Sequence, residues 1–448
     1  MKDTILGYIC TKYNYDLFSN RIEVWVTNST TFKGCPSISF VPTDGLVLKY
    51  VQNGNRTIVA KKIEDTKENT SYDVENQNIV DNPTFLAAQI NSRYTTIPIF
   101  QKEQINFEKI TISNQTDSIN KTYRFSNGNI ILKKINIPKE KGNYFLKLRE
   151  WSNGDAYDRV GSVFTIPNKG TSMMDAFKNG LDKLPFIVDN NSEKYQGVIA
   201  NENYVPAMEL MRFFTPFGVS HFNNKRIIAG YQWSDSVIYK QDVTDLITSD
   251  ESEMWIGVFI GNYDKGGHKV SLDLQFYPEP ELPNTQKWAL PMFNTVNIME
   301  ASGQNYGKLF QNDTLEMNFT IPDSVSNLEL IFTTTGHGGW ENGDEFVPKE
   351  NQIILDNQPI FQHTPWRSDC GTYRLHNPAS GNFPNGMSSS DYSRSNWCPG
   401  ALTPPFRIPL KNLKAGNHHL KVIIDQGKNE GSSFSHWCIS GVLIGNKK

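Results

Sequence analysis

MWIGVFIGNYDKGGHKVSLDLQFY, residues 254–277, carries the clearest fold signal in the chain. Two runs that alternate apolar and polar residues flank the turn-forming tetrad DKGG. A period of two puts successive side chains on opposite faces of a strand, and a short Gly-containing connection joins two such strands as a hairpin. The stretch therefore reads as a β-hairpin. The alternation returns in NLELIFTTT (327–335), NQIILDNQPI (351–360) and HHLKVIIDQG (418–427). Helical periodicity is confined to SMMDAFKNGLDKL (172–184), a short helix within a loop. Short strands punctuated by Gly, Asn and Pro turns predict an all-β chain of antiparallel sandwiches.

The chain has 448 residues, enough for about three domains. The sequence changes character near 97–104, and YPEPELPNTQKW (277–288) reads as a Pro-rich linker. The expected domains are 1–104, 105–280 and 281–448. A net charge of -3 and no basic stripe exclude nucleic acid as a partner. No apolar run is long enough to span a membrane as a helix. The opening MKDTILGYIC is not a signal peptide. Aromatic residues make up 12% of the chain, which suits both cores and stacking surfaces.

Five cysteines offer two candidate pairs, Cys10 with Cys35 and Cys370 with Cys398, and leave Cys438 on an apolar strand as a buried thiol. Two bridges favour an oxidising compartment, so the expectation is a secreted or periplasmic protein whose signal has been removed. No CxxC occurs, and neither a zinc site nor a redox dithiol is indicated.

Three stretches concentrate chemistry. NGDAYDRVGSVF (153–164) sets Asp155, Tyr157, Asp158 and Arg159 before a strand. TTTGHGGWENGDEFVP (333–348) puts His337, Trp340 and Glu345 on a Gly-rich loop. DYSRSNWCPGALTPPFRIPL (391–410) carries Arg394, Trp397 and Cys398, with Cys370 upstream in WRSDCGTYRLHNP. His337 has no second histidine at ligand spacing, and the adjacent His418 and His419 face opposite ways on a strand, which argues against a metal. No nucleophile elbow or phosphate loop is present.

In order and spacing, these stretches together with RFFTPFG and IFQHTPWRSDC resemble the bacterial peptide-N-glycosidase F family over roughly residues 105–448, with an insertion between 168 and 206. The resemblance implies two adjacent antiparallel eight-stranded jelly-roll β-sandwiches, preceded here by a small additional N-terminal domain. It implies a glycoamidase that hydrolyses the amide between asparagine and the innermost GlcNAc of N-linked glycans, with no cofactor and no metal. The implied substrates are N-glycosylated proteins or peptides, and the implied state is a monomer. By the same resemblance Asp158 and Glu345 are catalytic, and Arg159 and Arg394 orient Glu345. Tyr157 and Trp397 line the sugar site, and His337, Trp340 and Tyr263 form substrate walls. The family's third acid matches Gly261, with Asp264 nearby as a substitute. Two small family disulfides, one near Asp158 and one bracketing Glu345, have no cysteines here. The competing reading is a non-catalytic N-glycan-binding or adhesion protein on the same architecture. A copper monooxygenase ranks last because no His-x-His occurs.

Overall fold

The computed structural model describes residues 2–36, 45–64, 79–110, 117–168, 170–248, 252–279, 286–338, 343–378, 387–428 and 434–447. The chain divides into two compact units, Met1–Asp81 and Asn82–Lys448.

The first unit is a five-stranded antiparallel meander whose strands Lys2–Ile5, Tyr8–Leu17, Asn20–Thr27, Leu46–Gln52 and Arg56–Val59 pair in chain order. Strand Asn20–Thr27 is apolar on both faces. Ile22, Val24 and Val26 pack with Val47 and Tyr50 on one face, and Trp25 packs with Leu48 and Val51 on the other. Cys10 is buried in the Trp25 cluster, Cys35 packs on the Val24 cluster, and both thiols are free. The expected Cys10–Cys35 bridge is therefore absent, because the two side chains serve opposite faces of one sheet.

The second unit holds two sandwiches. In the first, one sheet runs Met208–Phe214, Val160–Ile166, Glu253–Ile260, Ile130–Asn136 and Thr122–Phe125. The opposing sheet runs Val237–Asp242, Gly142–Ser152, His268–Pro278 and Thr95–Ile105. Strand Thr95–Ile105 pairs with His268–Pro278, so this sandwich begins before residue 105 and the N-terminal unit is shorter than expected. The second sandwich pairs two four-stranded sheets among the described residues. Gln286–Asn294, His436–Lys447, Val325–His337 and Phe406–Pro409 form one sheet, and Leu315–Ile321, Gly416–Ile424, Asn351–Leu355 and Gln358–His363 form the other. Residues 280–285 of the expected linker lie outside the described residues.

The 254–277 stretch is not a hairpin. Strand Glu253–Ile260 pairs with Ile130–Asn136 and Val160–Ile166, while His268–Pro278 pairs with Gly142–Ser152 and Thr95–Ile105 in the opposing sheet. The reason lies in burial. Met254, Ile256, Val258 and Ile260 face the core between the sheets. Trp255 and Phe259 face a second core, where helix Met173–Asn179, Leu184 and Tyr204 of the 168–206 insertion cover the sheet's outer side. A strand apolar on both faces belongs in a covered sheet. The truly alternating His268–Pro278 belongs in a sheet with one face toward water. The tetrad therefore crosses between sheets. Asp264 Oδ1 accepts from the Gly266 and Gly267 amides at 2.7 and 2.9 Å, and Gly267 has φ +60° where a Cβ would lie 2.1 Å from the Ile105 carbonyl oxygen.

The two sandwiches share an apolar boundary, since Ile331, Val442 and Ile444 of the second extend the core of the first. Within it, Arg212 is paired to Glu209 at 2.7 Å and donates to Thr335 Oγ1 at 3.1 Å and to the Cys438 carbonyl. Strand Leu402–Thr403 of the second sandwich adds to the edge of the first, beside Met208–Phe214. This close seam places loops from both sandwiches side by side.

Candidate active site

Three side chains meet at the seam. Arg394 Nη1 lies 2.7 Å from Glu345 Oε1 and 3.4 Å from Asp158 Oδ2. Its side chain is 1% exposed, while the two carboxylates keep 19% and 20% of theirs open to solvent. The guanidinium is held on its faces by Trp397, 4.4 Å from the ring centroid, and Phe346, at 4.8 Å. Nη2 donates to the Ser389 carbonyl. Such stacking and forked donation suit arginine and not lysine.

The chain holds this arginine from behind. The Arg394 amide donates to the Arg367 carbonyl at 3.0 Å, and the Arg367 amide returns the bond at 2.9 Å. The disulfide Cys370–Cys398 closes the same loop. Glu345 is set by its neighbours. Its carbonyl accepts the Ser395 amide at 2.9 Å, and the buried Asp344 carboxylate accepts Trp437 Nε1 at 2.7 Å and the Gly427 amide at 3.0 Å. Gly336 and Gly338 let the loop leave its strand. A Cβ at 336 would be 2.7 Å from the Trp437 ring, and one at 338, where φ is +103°, would be 1.5 Å from the Phe434 carbonyl oxygen.

Burial pushes the Asp158 carboxyl above the ordinary carboxylate range, and the pull of Arg394 only partly offsets it. Glu345 is raised in the same way, with Asp158 adding to the shift. Two carboxylates sharing one cation titrate as a pair, with a first proton held tightly and a second released far more readily. Near neutral pH the arrangement holds one acid and one base side by side on a fixed cation.

Three family models match most of this chain. The N-terminal domain of N-glycanase peptides matches residues 2–87, and the N- and C-terminal domains of peptide-N-glycosidase F match 96–276 and 305–444. The solved structure of PNGF-II in space group C2 is 46% identical across 100% of this chain and 83% of that one, with a TM-score of 0.78. The chain belongs to the peptide-N-glycosidase F family. Recombinant peptide:N-glycanase F is 17% identical across 79% of this chain and 96% of that one, with a TM-score of 0.53, and shows the shared fold. The structure of a glycosylasparaginase from Flavobacterium meningosepticum gives 16% identity over the same shares and a TM-score of 0.50. No curated protein matches.

Within this peptide-N-glycosidase F fold, three of the predicted site residues converge, and others go elsewhere. Arg159 does not reach Glu345; its guanidinium grips Asp155 at 2.7 and 3.2 Å. Trp397 is 3% exposed, stacks on Phe214 at 4.2 Å and donates to the Gly336 carbonyl, so it backs Arg394 and is no sugar-lining surface. His337 is 8% exposed, packed against His436 and Phe214, with Nε2 at 2.8 Å from Thr335 Oγ1. Burial, with repulsion from His436, Arg212 and Arg394, drives its pKa well down and keeps it neutral. It is a core residue beneath the site, not a wall. Trp340 lies outside the described residues. Tyr157 and Tyr263 are the exposed rings, at 56% and 54%. Tyr157 packs edge-on to Phe217 with Arg159 over it, and Tyr263 leans on Phe107.

A carboxylate from a distant part of the chain lies beside Gly261. A Cβ at 261 would lie 3.7 Å from Glu300 Oε2, and the Tyr263 hydroxyl donates to Glu300. Asp264, the expected substitute, is spent capping the crossing turn. Nothing in the sequence near residue 261 points to Glu300, which enters on a turn, Glu300–Ser302, after the first strand of the other sandwich.

Proposed function

We propose that this peptide-N-glycosidase F family member cleaves the asparagine amide of N-linked glycans through Asp158, Glu345 and Arg394. The reaction adds the oxygen of water to the side-chain carbonyl carbon of asparagine. The C–N bond breaks, the nitrogen takes a proton and leaves as the glycosylamine, and the peptide retains aspartate. The ionised member of the carboxyl pair, Asp158 in this reading, orients the water and draws off its proton. Glu345, with its raised pKa, hydrogen-bonds the amide end and supplies a proton. Unaided amide hydrolysis is slow enough that on the order of 10 kcal/mol must be removed from the barrier, more than a proton transfer alone provides. Arg394, already desolvated and fixed by stacking, supplies preorganised positive charge where the carbonyl oxygen becomes negative.

Tyr157 and Tyr263 offer exposed faces for sugar rings, and Glu300 offers a carboxylate for sugar hydroxyls beside them. The substrates are N-glycosylated proteins or peptides, and the protein works as a monomer outside the reducing cytoplasm, in keeping with its disulfide. One observation carries the reading: a single buried arginine holds carboxylates from both sandwiches.

Digestion of a glycopeptide in heavy-oxygen water, read by mass spectrometry, tests it. The expected products are intact glycan and aspartate carrying one heavy oxygen. A sugar left on asparagine would make the enzyme an endoglycosidase, and no cleavage across several glycan classes would leave a binding protein.

A further inference from the structure

Asp158 is held from both sides by one buried carboxylate. Asp155 Oδ1 accepts the Tyr157 amide at 3.1 Å, on the residue before Asp158. The same carboxylate grips the Arg159 guanidinium, on the residue after it, at 2.7 Å through Nε. Asp155 is 2% exposed, and a second buried group lies behind it. His268 Nε2 is 3.5 Å from Asp155 Oδ2, and His268 Nδ1 is 2.8 Å from Glu150 Oε1. Both His268 and Glu150 are fully buried. The chain Glu150, His268, Asp155, Arg159 thus alternates in sign, negative and positive, from the core out to the half-exposed Arg159 at the site.

Resting on the function proposed above, we propose that Glu150, His268 and Asp155 form a buried charge relay that positions Asp158 for catalysis. None of the three touches the reacting atoms; they act through the Tyr157 amide and Arg159. Burial alone would strip the proton from His268, but the close Asp155 carboxylate, the hydrogen bond to Glu150 and the charges of both outweigh it and raise its pKa to about 9. Asp155 is held well below the ordinary range, where burial is outweighed by His268 and Arg159. The charged and titratable groups facing His268 are Glu150 on strand Gly142–Ser152 and Asp155 on the loop that follows. Arg159 lies one step further out, and Tyr239 on strand Val237–Asp242 faces Glu150. A protonated imidazole leaves this set neutral. Its loss leaves two buried carboxylates facing each other, and Asp155 loses the partner that fixes it.

The sign for stability follows. A pKa raised above the unfolded value of a histidine means a contribution fully present below about pH 6.5 and lost as pH rises through about 9.

The test is a set of pH profiles from 6 to 10 for the wild type, His268→Gln and Asp155→Asn, recording kcat, KM and the thermal midpoint. In the wild type, the midpoint should fall between about pH 6.5 and 9. Each variant should lower kcat at pH 7 at least tenfold with KM within threefold, and His268→Gln should lose the alkaline fall of the midpoint. A wild-type midpoint that stays flat between about pH 6.5 and 9 would overturn the relay, as would variants with wild-type kcat or with a changed KM alone. If His268→Gln does not fold, the wild-type profile and Asp155→Asn decide. A wild type that cleaves no glycopeptide refutes the functional reading instead, and the wild-type midpoint still reports whether the relay loses its proton near pH 9.

Discussion

The two loops that deliver carboxylates to Arg394 are anchored by opposite means. The Asp158 loop leans on charges: Asp155 sits among Arg159 and His268, with Glu150 behind. The Glu345 loop leans on neutral groups: Asp344, equally buried, accepts from the Trp437 indole and the Gly427 amide, and its own amide donates to Ser435 Oγ. In both, an aspartate just ahead of the functional carboxylate takes the place of a cross-link; the small disulfides expected from the family resemblance have no cysteines here. The difference is in what each anchor responds to. An anchor of alternating charges depends on every member keeping its proton state, whereas one built on indole and amide donors has a single titrating member, Asp344, whose pKa burial raises.

The sharpest way to break the comparison is at the carboxylates themselves. Asp158→Asn and Glu345→Gln should each cut kcat by about 10³-fold or more while glycan binding stays measurable, because each removes a proton-transfer group and half of the shared charge. Full turnover in either variant, in a glycopeptide release assay, would take that residue out of the site. Arg394→Lys should cost about 10²-fold in kcat: the charge remains, but the fork and the stack between Trp397 and Phe346 are lost.

The pH profile separates the pair from isolated acids. Activity needs one proton on the Asp158–Glu345 pair, so it should fall on the acid side as both become neutral and on the alkaline side as both ionise. With both pKa values raised by burial, the acid limb should lie above the ordinary carboxylate range near 4. A plateau extending down to pH 4 in kcat would show that the pair does not govern turnover. The smallest effect belongs to the neutral anchor. Asp344→Asn should cost about 1–3 kcal/mol in stability by denaturant melt, from imperfectly paired donors, with a pH dependence of activity unchanged from wild type.

Much of the architecture was legible from local pattern. Alternating runs mark the strands, and helix Met173–Asn179 forms within Ser172–Leu184 with a capping box of Ser172 and Asp175, but helix Asn82–Asn91, which buries no residue, carries no amphipathic pattern to announce it. The order of Asp158, Glu345, Arg394 and the Cys370–Cys398 pair along the chain pointed to the family and to a common site. What misled was reading two neighbouring strands as partners. The double-sided burial of Met254–Ile260, against the one-sided burial of His268–Pro278, was already written in the residues as an apolar run beside a strict alternation. The Gly-rich tetrad between them looked like a hairpin turn because a turn and a sheet-to-sheet crossing require the same local conformations.

The sequence by itself determined which segments become strands, which loop needs glycine, and which acid and base types are available, because these depend on side-chain periodicity and backbone sterics over a few residues. Only the tertiary structure decided which strand pairs with which, that His337 and Trp397 lie beneath Arg394, and that Glu300 supplies a carboxylate beside Gly261. Those outcomes depend on contacts between residues tens to hundreds of positions apart. Burial, which raises the pKa values of Asp158 and Glu345, comes into being only when the two sandwiches close against each other and the loops settle over the seam, and the charge on His268 comes from Asp155 and Glu150, which outweigh its burial once the strands of the first sandwich pack.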